Sequence, residues 1–202
     1  KTVMEAMNYS VNVGGKRLRP MLMAETYRLF GGADKAIEPF MAAIEMIHSY
    51  SLVHDDLPAM DNDEYRRGKK TTWVVYGDAM AILAGDGLLN YAFETALKSF
   101  EMSGSDAGRK AKALSILAKK AGVHGMIGGQ TADIEAENLG HQVTIEHLLF
   151  IHEHKTAALI QAAMMAGAVM AGAGEEQISL VEKAAYEIGI AFQIQDDILD
   201  VT

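Results

Sequence analysis

The amino-acid sequence predicts an all-α protein, and three observations support that prediction. Proline occurs only 3 times in 202 residues. The stretches between the prolines are rich in Ala, Met, Leu, Glu and Lys, which are strong helix formers. The alternation of apolar and polar residues that indicates half-buried strands is nearly absent. Because no linker or low-complexity segment divides the chain, we expect residues 1–202 to form a single domain.

The first two predicted helices are separated by a pair of glycines. Pro20 suits the first turn of a helix that Gly31 and Gly32 end, since proline is favoured at the start of a helix and glycine just beyond its end. A second helix is predicted from about Lys35 to His54, because its apolar residues keep the helical spacing. Two consecutive helices of ordinary length are therefore expected before residue 55.

The rest of the chain is predicted to be a loop followed by more helices. Pro58 cannot continue the second helix cleanly, so residues 57–77 are predicted to form a functional loop. Residues 156–174 carry no charge apart from the side chains that flank them, but Ala, Gly and Met dominate and Gln161 interrupts them. We expect a buried helix there rather than a membrane span. Further helices are predicted at 79–101, 106–122, 125–138, 144–171 and 175–201.

Charge and cysteine content exclude some classes of function. The formal net charge is −9, whereas a nucleic-acid-binding protein usually has a basic surface, so no nucleic-acid partner is expected. There is no cysteine, which excludes disulfides and thiolate metal sites and suits the reducing cytoplasm. We therefore expect a cytoplasmic protein without stable membrane insertion.

Two acidic clusters each follow a nearly apolar helical segment. Asp55 and Asp56 end one segment, and Asp196 and Asp197 end another, with Asp200 one turn further on. Asp196 and Asp200 share a helix face and repel each other, and carboxylates at the end of a helix oppose its dipole. Mg²⁺ would relieve both conflicts, because it binds carboxylates together with substrate phosphates. The alternative is a solvated acidic loop and an exposed helix end.

Basic residues lie close to the first acidic cluster and at two other places. The segment GGKRLRP at 14–20 combines paired glycines with three cations, and a simple surface turn before a helix is the alternative interpretation. Arginine suits two-pronged contacts to phosphate. Acidic clusters for metal and separate basic groups predict two diphosphates in one cavity, one bound through metal and one by side chains alone. The cations are Lys16, Arg17, Arg19, Arg66, Arg67 and Lys155.

Several segments together resemble the trans-isoprenyl diphosphate synthases, and bacterial farnesyl diphosphate synthases in particular. The segments are GGKRLRP, HSYSLVHDDLPAMDNDEYRRG, GDAMAILAGDGLL, GGQTAD, HKT and FQIQDDILDVT, and they cover essentially the whole chain in the family's order. DDLPAMD resembles the first aspartate-rich motif of the family, with the two-residue insertion typical of bacterial members. DDILD resembles the second motif.

The resemblance implies an isoprenoid-synthase-type helical barrel around a deep central cavity, usually as a homodimer. It implies a Mg²⁺-dependent prenyltransferase that condenses isopentenyl diphosphate with dimethylallyl or geranyl diphosphate to give farnesyl diphosphate. Alternatives are a geranylgeranyl or longer-chain synthase and a non-catalytic helical partner subunit. Because the family continues well past DDILDVT, we expect a domain shortened at both ends that lacks the C-terminal helices.

The resemblance also implies roles for individual residues. Asp133 is implied to support the metal region, and Lys70 stands where the family usually has proline, with Trp73 where histidine is common. The implied catalytic set is Asp55, Asp56, Asp61, Lys155 and Asp196. The implied metal ligands are Asp55, Asp56, Asp61, Asp196, Asp197 and Asp200. Isopentenyl diphosphate is assigned to Lys16, Arg19, His48 and Arg67, and the allylic substrate to Arg66, Lys155, Thr156 and Gln193.

Tyr50 is predicted to limit product length. It precedes Asp55 by five residues, which places it roughly 7.5 Å along the helix from the metal end. A growing chain that extends from the diphosphate would meet this ring, whereas the small Ser51 leaves room on the metal-facing side. In the resembled family an aromatic residue here accompanies a C15 product, and simple core packing is the alternative.

Overall fold

The computed structural model describes residues 2–138 and 144–200, except for the side chains at 137, 138, 196, 197 and 200. This part of the chain is almost entirely helical, which confirms the all-α prediction. The helices are α1 Thr2–Asn12, α2 Leu18–Leu29, α3 Glu38–Asp55, α4 Thr72–Tyr76, α5 Asp78–Leu97, α6 Ala107–Ala121, α7 Met126–Asn138, α8 Ile145–Ile151, α9 Ala158–Ala171 and α10 Glu175–Asp200. A hairpin of β1 Tyr65–Arg66 and β2 Lys69–Lys70, two 3₁₀ turns at Lys35–Ile37 and Lys98–Glu101, and a π-helical turn at His152–Ala157 complete the elements.

Two helices, α3 and α9, form the centre of the molecule. Helix α3 packs mainly against α5 and α2, and α9 packs against α2, α6 and α10. Phe40, Ile44 and Ile47 of α3 are fully buried. Gly167 lies where a side chain would overlap the backbone of α2, so its lack of Cβ allows α2 and α9 to pack closely.

The uncharged segment around residues 158–171 is a buried helix, as predicted. Nearly every residue of α9 is buried, and the apolar content surrounds the whole helix, as expected for a helix inside a protein core. Within the residues that the structure describes, no helix is both long and apolar enough to cross a membrane.

The predicted loop at 57–77 contains more structure than the sequence indicated. The strands β1 and β2 pair antiparallel, with Tyr65 opposite Lys70. Arg67 and Gly68 connect them with φ angles of 53° and 73°. Positive φ at both central residues is the pattern of a tight hairpin turn, which arginine adopts less readily than glycine. Helix α4 follows directly.

The predicted helix at 144–171 is not regular. Helix α8 ends at Ile151, and a π-helical turn separates it from α9. The turn fits between two close neighbours, because side chains at Gly129 of α7 and Gly189 of α10 would overlap its residues. Such turns are rare within α-helices and are frequent at functional sites.

Candidate active site

Two cavities meet beside the carboxyl end of α3. The first has a volume of about 520 Å³ and a mainly apolar wall from α3, α5, α7 and α9. The second has a volume of about 580 Å³ and is lined by all three cations of the 14–20 segment. We call them the apolar arm and the basic arm. Both arms are lined by Arg19, His48 and Thr156, so they form one chamber that is joined at these three side chains.

Asp55 lies at the junction of α3 and the apolar arm. The backbone N–H of Asp61 donates to the carbonyl of Asp55 at 2.9 Å, which folds the following loop back over the helix end. Burial raises the pKa of Asp55 to about 6; the charge of Lys155 opposes this rise and the charge of Asp61 adds to it. Removal from water therefore disfavours the charged form of Asp55, and a bound cation would stabilise that form.

The π-helical turn supplies the opposite wall of the apolar arm. Lys155 Nζ donates to Asp133 Oδ2 at 2.5 Å. Burial lowers the pKa of Lys155, but the hydrogen bond and charge of Asp133 and the charge of Asp55 more than offset this, so the pKa is raised. Thr156 Oγ1 donates to Gln193 Oε1 at 2.7 Å, which ties the turn to α10. A charged ammonium group therefore faces Asp55 across the arm.

Like charges also accumulate in the basic arm. Burial lowers the pKa of Arg19 to about 10, with Glu45 opposing this effect and Arg67 adding to it. Arg19 Nε is buried and has no hydrogen-bond partner among the described residues. Burial, followed by the charges of Arg19 and Arg67, holds the pKa of His48 well below its ordinary range. A bound anion in this arm would accept a hydrogen bond from Arg19 Nε and reduce the repulsion between the cations.

The paired glycines of the GGKRLRP segment make room for Arg67. The guanidinium of Arg67 donates to the carbonyl of Gly14, and a Cβ on Gly15 would overlap that guanidinium. The next residue, Lys16, lies with Nζ 5.6 Å from the centre of the Phe192 ring, within the range of a cation–π contact. The segment therefore places Lys16 on the wall of the basic arm and makes room there for Arg67.

Arg17 faces a different set of partners. It donates to Glu45 Oε1 at 2.5 Å and to the carbonyl of Val11 at 2.5 Å. Its side chain therefore pairs with the one carboxylate that lines the basic arm among the described residues. This pairing leaves the arm's remaining cations available to an anion.

Asp56 and Arg66 were both expected at the metal and substrate sites, but the structure pairs them with each other. Arg66 Nε and Nη2 each lie 2.7 Å from Asp56 Oδ1, and Asp56 is only 4% exposed. Asp55 lines the apolar arm, whereas Asp56 lines a small separate cavity of about 30 Å³. The two consecutive carboxylates therefore point into different surroundings.

No ready-made metal centre is present among the described residues, since no three acidic or histidine side chains there form a group that could hold an ion. The side chains of the second predicted cluster lie outside this test. Asp196, Asp197 and Asp200 fall within α10, but their side chains are not among those described. Their assignment as metal ligands stays a prediction.

The predicted chain-length residues both line the apolar arm. Tyr50 is buried, its hydroxyl has no partner among the described residues, and its ring meets His54 edge-on at 5.8 Å. Burial, and then the charge of Asp55, raises the pKa of Tyr50 to about 12. Ser51 donates to the carbonyl of His48 at 2.9 Å.

Four further polar residues line the apolar arm but were not assigned from the sequence. They are His54, Asp86, Gln130 and Thr131. The GDG and GGQT motifs contain three of them and were noticed as patterns, but no rule of spacing gave these residues a role. His54 Nε2 lies 3.1 Å from the carbonyl of Ile82 and 3.9 Å from Asp86 Oδ1. These contacts join α3 to α5 beside Asp55.

Comparison with known protein families shows to which family the chain belongs. A sequence profile of the polyprenyl synthetase family matches residues 1–202. The chain is a member of that family.

Relatives within the polyprenyl synthetase family include enzymes of different product length. The chain is 49% identical over 201 residues to the chloroplastic geranylgeranyl pyrophosphate synthase of Catharanthus roseus. It is 47% identical over 197 residues to the farnesyl diphosphate synthase of Geobacillus stearothermophilus. Each alignment covers 98% of this chain, but only 55% of the first protein and 65% of the second. The chain therefore spans little more than half to two thirds of the length of these relatives.

Solved structures of the family have the same architecture. An FPP/GFPP synthase from Zymomonas mobilis matches with a TM-score of 0.94 and 38% identity, over 99% of this chain and 71% of that one. A geranyltransferase from Legionella pneumophila matches with a TM-score of 0.91 and 37% identity, over 98% of this chain and 70% of that one. The predicted isoprenoid-synthase-type barrel is thereby confirmed.

Proposed function

We propose that the protein is a trans-prenyltransferase that condenses isopentenyl diphosphate with an allylic diphosphate, dimethylallyl or geranyl, and that farnesyl diphosphate is the product. One observation carries this proposal. An apolar arm with a carboxylate and a lysine at its edge joins a basic arm at Arg19, His48 and Thr156. Such a chamber suits two anionic substrates, one of which has a long apolar tail.

The first acidic cluster suits Mg²⁺ in part. Asp55, with its raised pKa, and the nearby exposed Asp61 form an anionic site that a hard cation would neutralise. We infer that these two residues hold Mg²⁺ together with Asp196, Asp197 and Asp200. Bound Mg²⁺ would neutralise the charge that develops on the departing diphosphate.

The protein's own side chains hold the allylic substrate. Lys155 is held by Asp133 at the edge of the apolar arm, so its ammonium group can donate to the allylic diphosphate without a large motion. Thr156 and Gln193 lie beside it at the join between the arms. The apolar wall excludes water from the allylic cation, which hydrolysis would otherwise consume.

The basic arm positions the second substrate. Lys16, Arg19 and Arg67 bind the diphosphate of isopentenyl diphosphate and aim its double bond at the allylic carbon. The allylic C–O bond breaks, and its electron pair leaves with the diphosphate. The double bond of the second substrate supplies the electrons for the new C–C bond, and a proton then leaves to the released diphosphate. This sequence needs no protein nucleophile.

The product length rests on Tyr50. Its ring lies on the wall of the apolar arm, where a tail that grows from the Asp55 end would meet it. This position favours farnesyl diphosphate. Because relatives of similar identity include synthases named for farnesyl and for geranylgeranyl products, the geranylgeranyl product is the second candidate.

A product assay tests the whole proposal. The full-length protein is incubated with labelled isopentenyl diphosphate and geranyl diphosphate, with Mg²⁺ or with EDTA, and the products are separated by length. We expect a C15 diphosphate with Mg²⁺ and none with EDTA. A C20 product would move the assignment to a geranylgeranyl synthase. No product under any condition would favour a non-catalytic partner subunit.

Three expectations about the whole protein belong to the same proposal. We infer that residues 1–202 belong to one domain, that the protein acts as a homodimer, and that it works in the cytoplasm. Light scattering from the purified full-length protein would test the oligomeric state.

A further inference from the structure

The two consecutive aspartates at the end of α3 have opposite surroundings. Asp55 is partly exposed and lines the apolar arm near Lys155. Asp56 is 4% exposed, and its Oδ1 lies 2.7 Å from both Nε and Nη2 of Arg66. Burial raises the pKa of both carboxyl groups, but only Asp56 has a direct arginine hydrogen bond that opposes the rise. The difference between neighbours suggests different tasks.

Asp56 is poorly placed to bind a metal ion. Its Oδ1 already accepts a hydrogen bond from Arg66 Nε and lies 2.7 Å from Nη2 of the same guanidinium, so a cation at this oxygen would lie against a positive charge. Admitting the cation would displace the partly buried guanidinium of Arg66 from its carboxylate partner, which is a costly change. The residue also lines the small cavity beside the hairpin and not the apolar arm.

The Asp56–Arg66 pair instead fixes the hairpin against α3. Arg66 Nη2 also lies 3.7 Å from Asp63 Oδ2, so one edge of its guanidinium is bound by acids. No described contact engages Nη1, which leaves that nitrogen able to donate elsewhere. The next residue, Arg67, is bound to the Gly14 carbonyl of the basic segment. The two arginines therefore connect the acidic end of α3 to the basic arm.

We propose that Asp56 is a positioning residue, which acts through Arg66 to hold the hairpin between the two arms, and that it is not a metal ligand. This inference rests on the proposed function, since positioning matters only if both arms bind diphosphates. It separates Asp56 from Asp55, which stays a metal ligand. Loss of Asp56 should loosen residues 64–71 and misplace Arg67 without removing the metal site.

The test compares Asp56→Asn with its neighbour variant Asp55→Asn in the full-length protein. Hydrogen exchange of the backbone amides at 64–71 is measured without substrate or metal. Calorimetry then measures Mg²⁺ binding in the presence of inorganic diphosphate. For Asp56→Asn we expect hairpin exchange to rise about 10-fold or more, while Mg²⁺ affinity changes by less than about 3-fold. For Asp55→Asn we expect unchanged hairpin exchange and a loss of about 10-fold or more in Mg²⁺ affinity.

A second variant distinguishes a local effect on the hairpin from a general loss of stability. Arg66→Gln should raise hairpin exchange as Asp56→Asn does, and the double variant should add little, because both remove one interaction. Unchanged hairpin exchange in Asp56→Asn, or a loss of Mg²⁺ affinity equal to that of Asp55→Asn, would overturn the inference. Neither measurement requires turnover, so both remain decisive if the proposed prenyltransferase activity is not found.

Discussion

The two arms of the chamber have different linings, one mainly apolar and one rich in cations, but they share one physical situation. At the end of α3 burial raises the pKa of Asp55, and in the basic arm burial and neighbouring cations lower the pKa of Arg19 and of His48. In both places the fold buries a group whose charged form would be solvated by water in a free chain. The comparison teaches that a bound counter-ion would stabilise each arm, a cation beside Asp55 and an anion beside Arg19.

The largest expected effect comes from removing the carboxylate of Asp55. Asp55→Ala should lower kcat by about 10²–10³-fold, because stabilisation of the departing diphosphate is lost. Steady-state kinetics of the full-length protein measure this effect. Glu176→Ala, at an exposed position of α10, serves as the matched control and should retain normal turnover. Near-normal turnover of Asp55→Ala would contradict the proposed role of Asp55 as a metal ligand.

The basic arm should respond through binding rather than through turnover. Arg19→Ala should raise KM for isopentenyl diphosphate by about 10-fold or more, with a smaller change for the allylic substrate, because ground-state contacts are lost. The two KM values are measured separately, with Lys119→Ala at an exposed site of α6 as the control. An equal rise for both substrates would mean that the arms are not separate sites.

A third change tests the wall of the apolar arm. Tyr50→Ala should shift products from C15 towards C20 and longer, because the ring no longer blocks the growing tail. Tyr50→Phe should leave the length unchanged, since the hydroxyl has no partner among the described residues. Product chromatography distinguishes the variants. If Tyr50→Ala only lowers stability and keeps the length, Tyr50 is a core residue and the farnesyl assignment loses its main support.

The smallest expected effect concerns stability and pH. Burial raises the pKa of Asp55 from an ordinary 3.8 to about 6, so the folded protein binds this proton more tightly than the unfolded chain does. Its contribution to stability is present below pH 4 and is lost as pH rises through 6. Without metal, Asp55→Asn should gain about 1 to 2 kcal/mol over the wild type between pH 4 and pH 7, allowing for partial exposure.

Urea unfolding at both pH values measures this difference. Asp106→Asn, at the exposed start of α6, is a useful control, because hydrogen bonding from the backbone of Arg109 lowers the pKa of Asp106. It should lack the stabilisation that is expected for Asp55→Asn. A wild type that gains stability over Asp55→Asn as pH rises would contradict the raised pKa.

Local sequence rules predicted the acidic end of α3 better than they predicted its surroundings. Pro58 and the apolar spacing before Asp55 were enough to place the helix end within one residue. The partner of Asp56 could not be inferred in the same way. Arg66 is ten residues away, and its approach depends on a hairpin whose turn contains an arginine with positive φ. Tertiary contacts stabilise that conformation, and rules based on residue spacing cannot predict such contacts.

The basic arm shows the same limit. The cations of GGKRLRP were predicted to bind an anion, but the sequence did not indicate that Arg17 would pair with Glu45 or that Gly15 would make room for Arg67. These contacts join segments 28 and 52 residues apart, respectively. Side-chain partners at such separations follow from the packing of whole helices, which propensity and periodicity do not specify.

The π-helical turn at His152–Ala157 has a consequence for protein engineering. It contains one more residue per turn than an α-helix, so deleting a single residue there would allow α8 and α9 to join as one regular helix. That helix would have better backbone hydrogen bonds, but Lys155 and Thr156 would turn by about 100° relative to α9. A screen that selects only for thermal stability would therefore favour a deletion that turns both side chains away from the chamber. Stabilised variants of this protein should be selected with this segment held fixed.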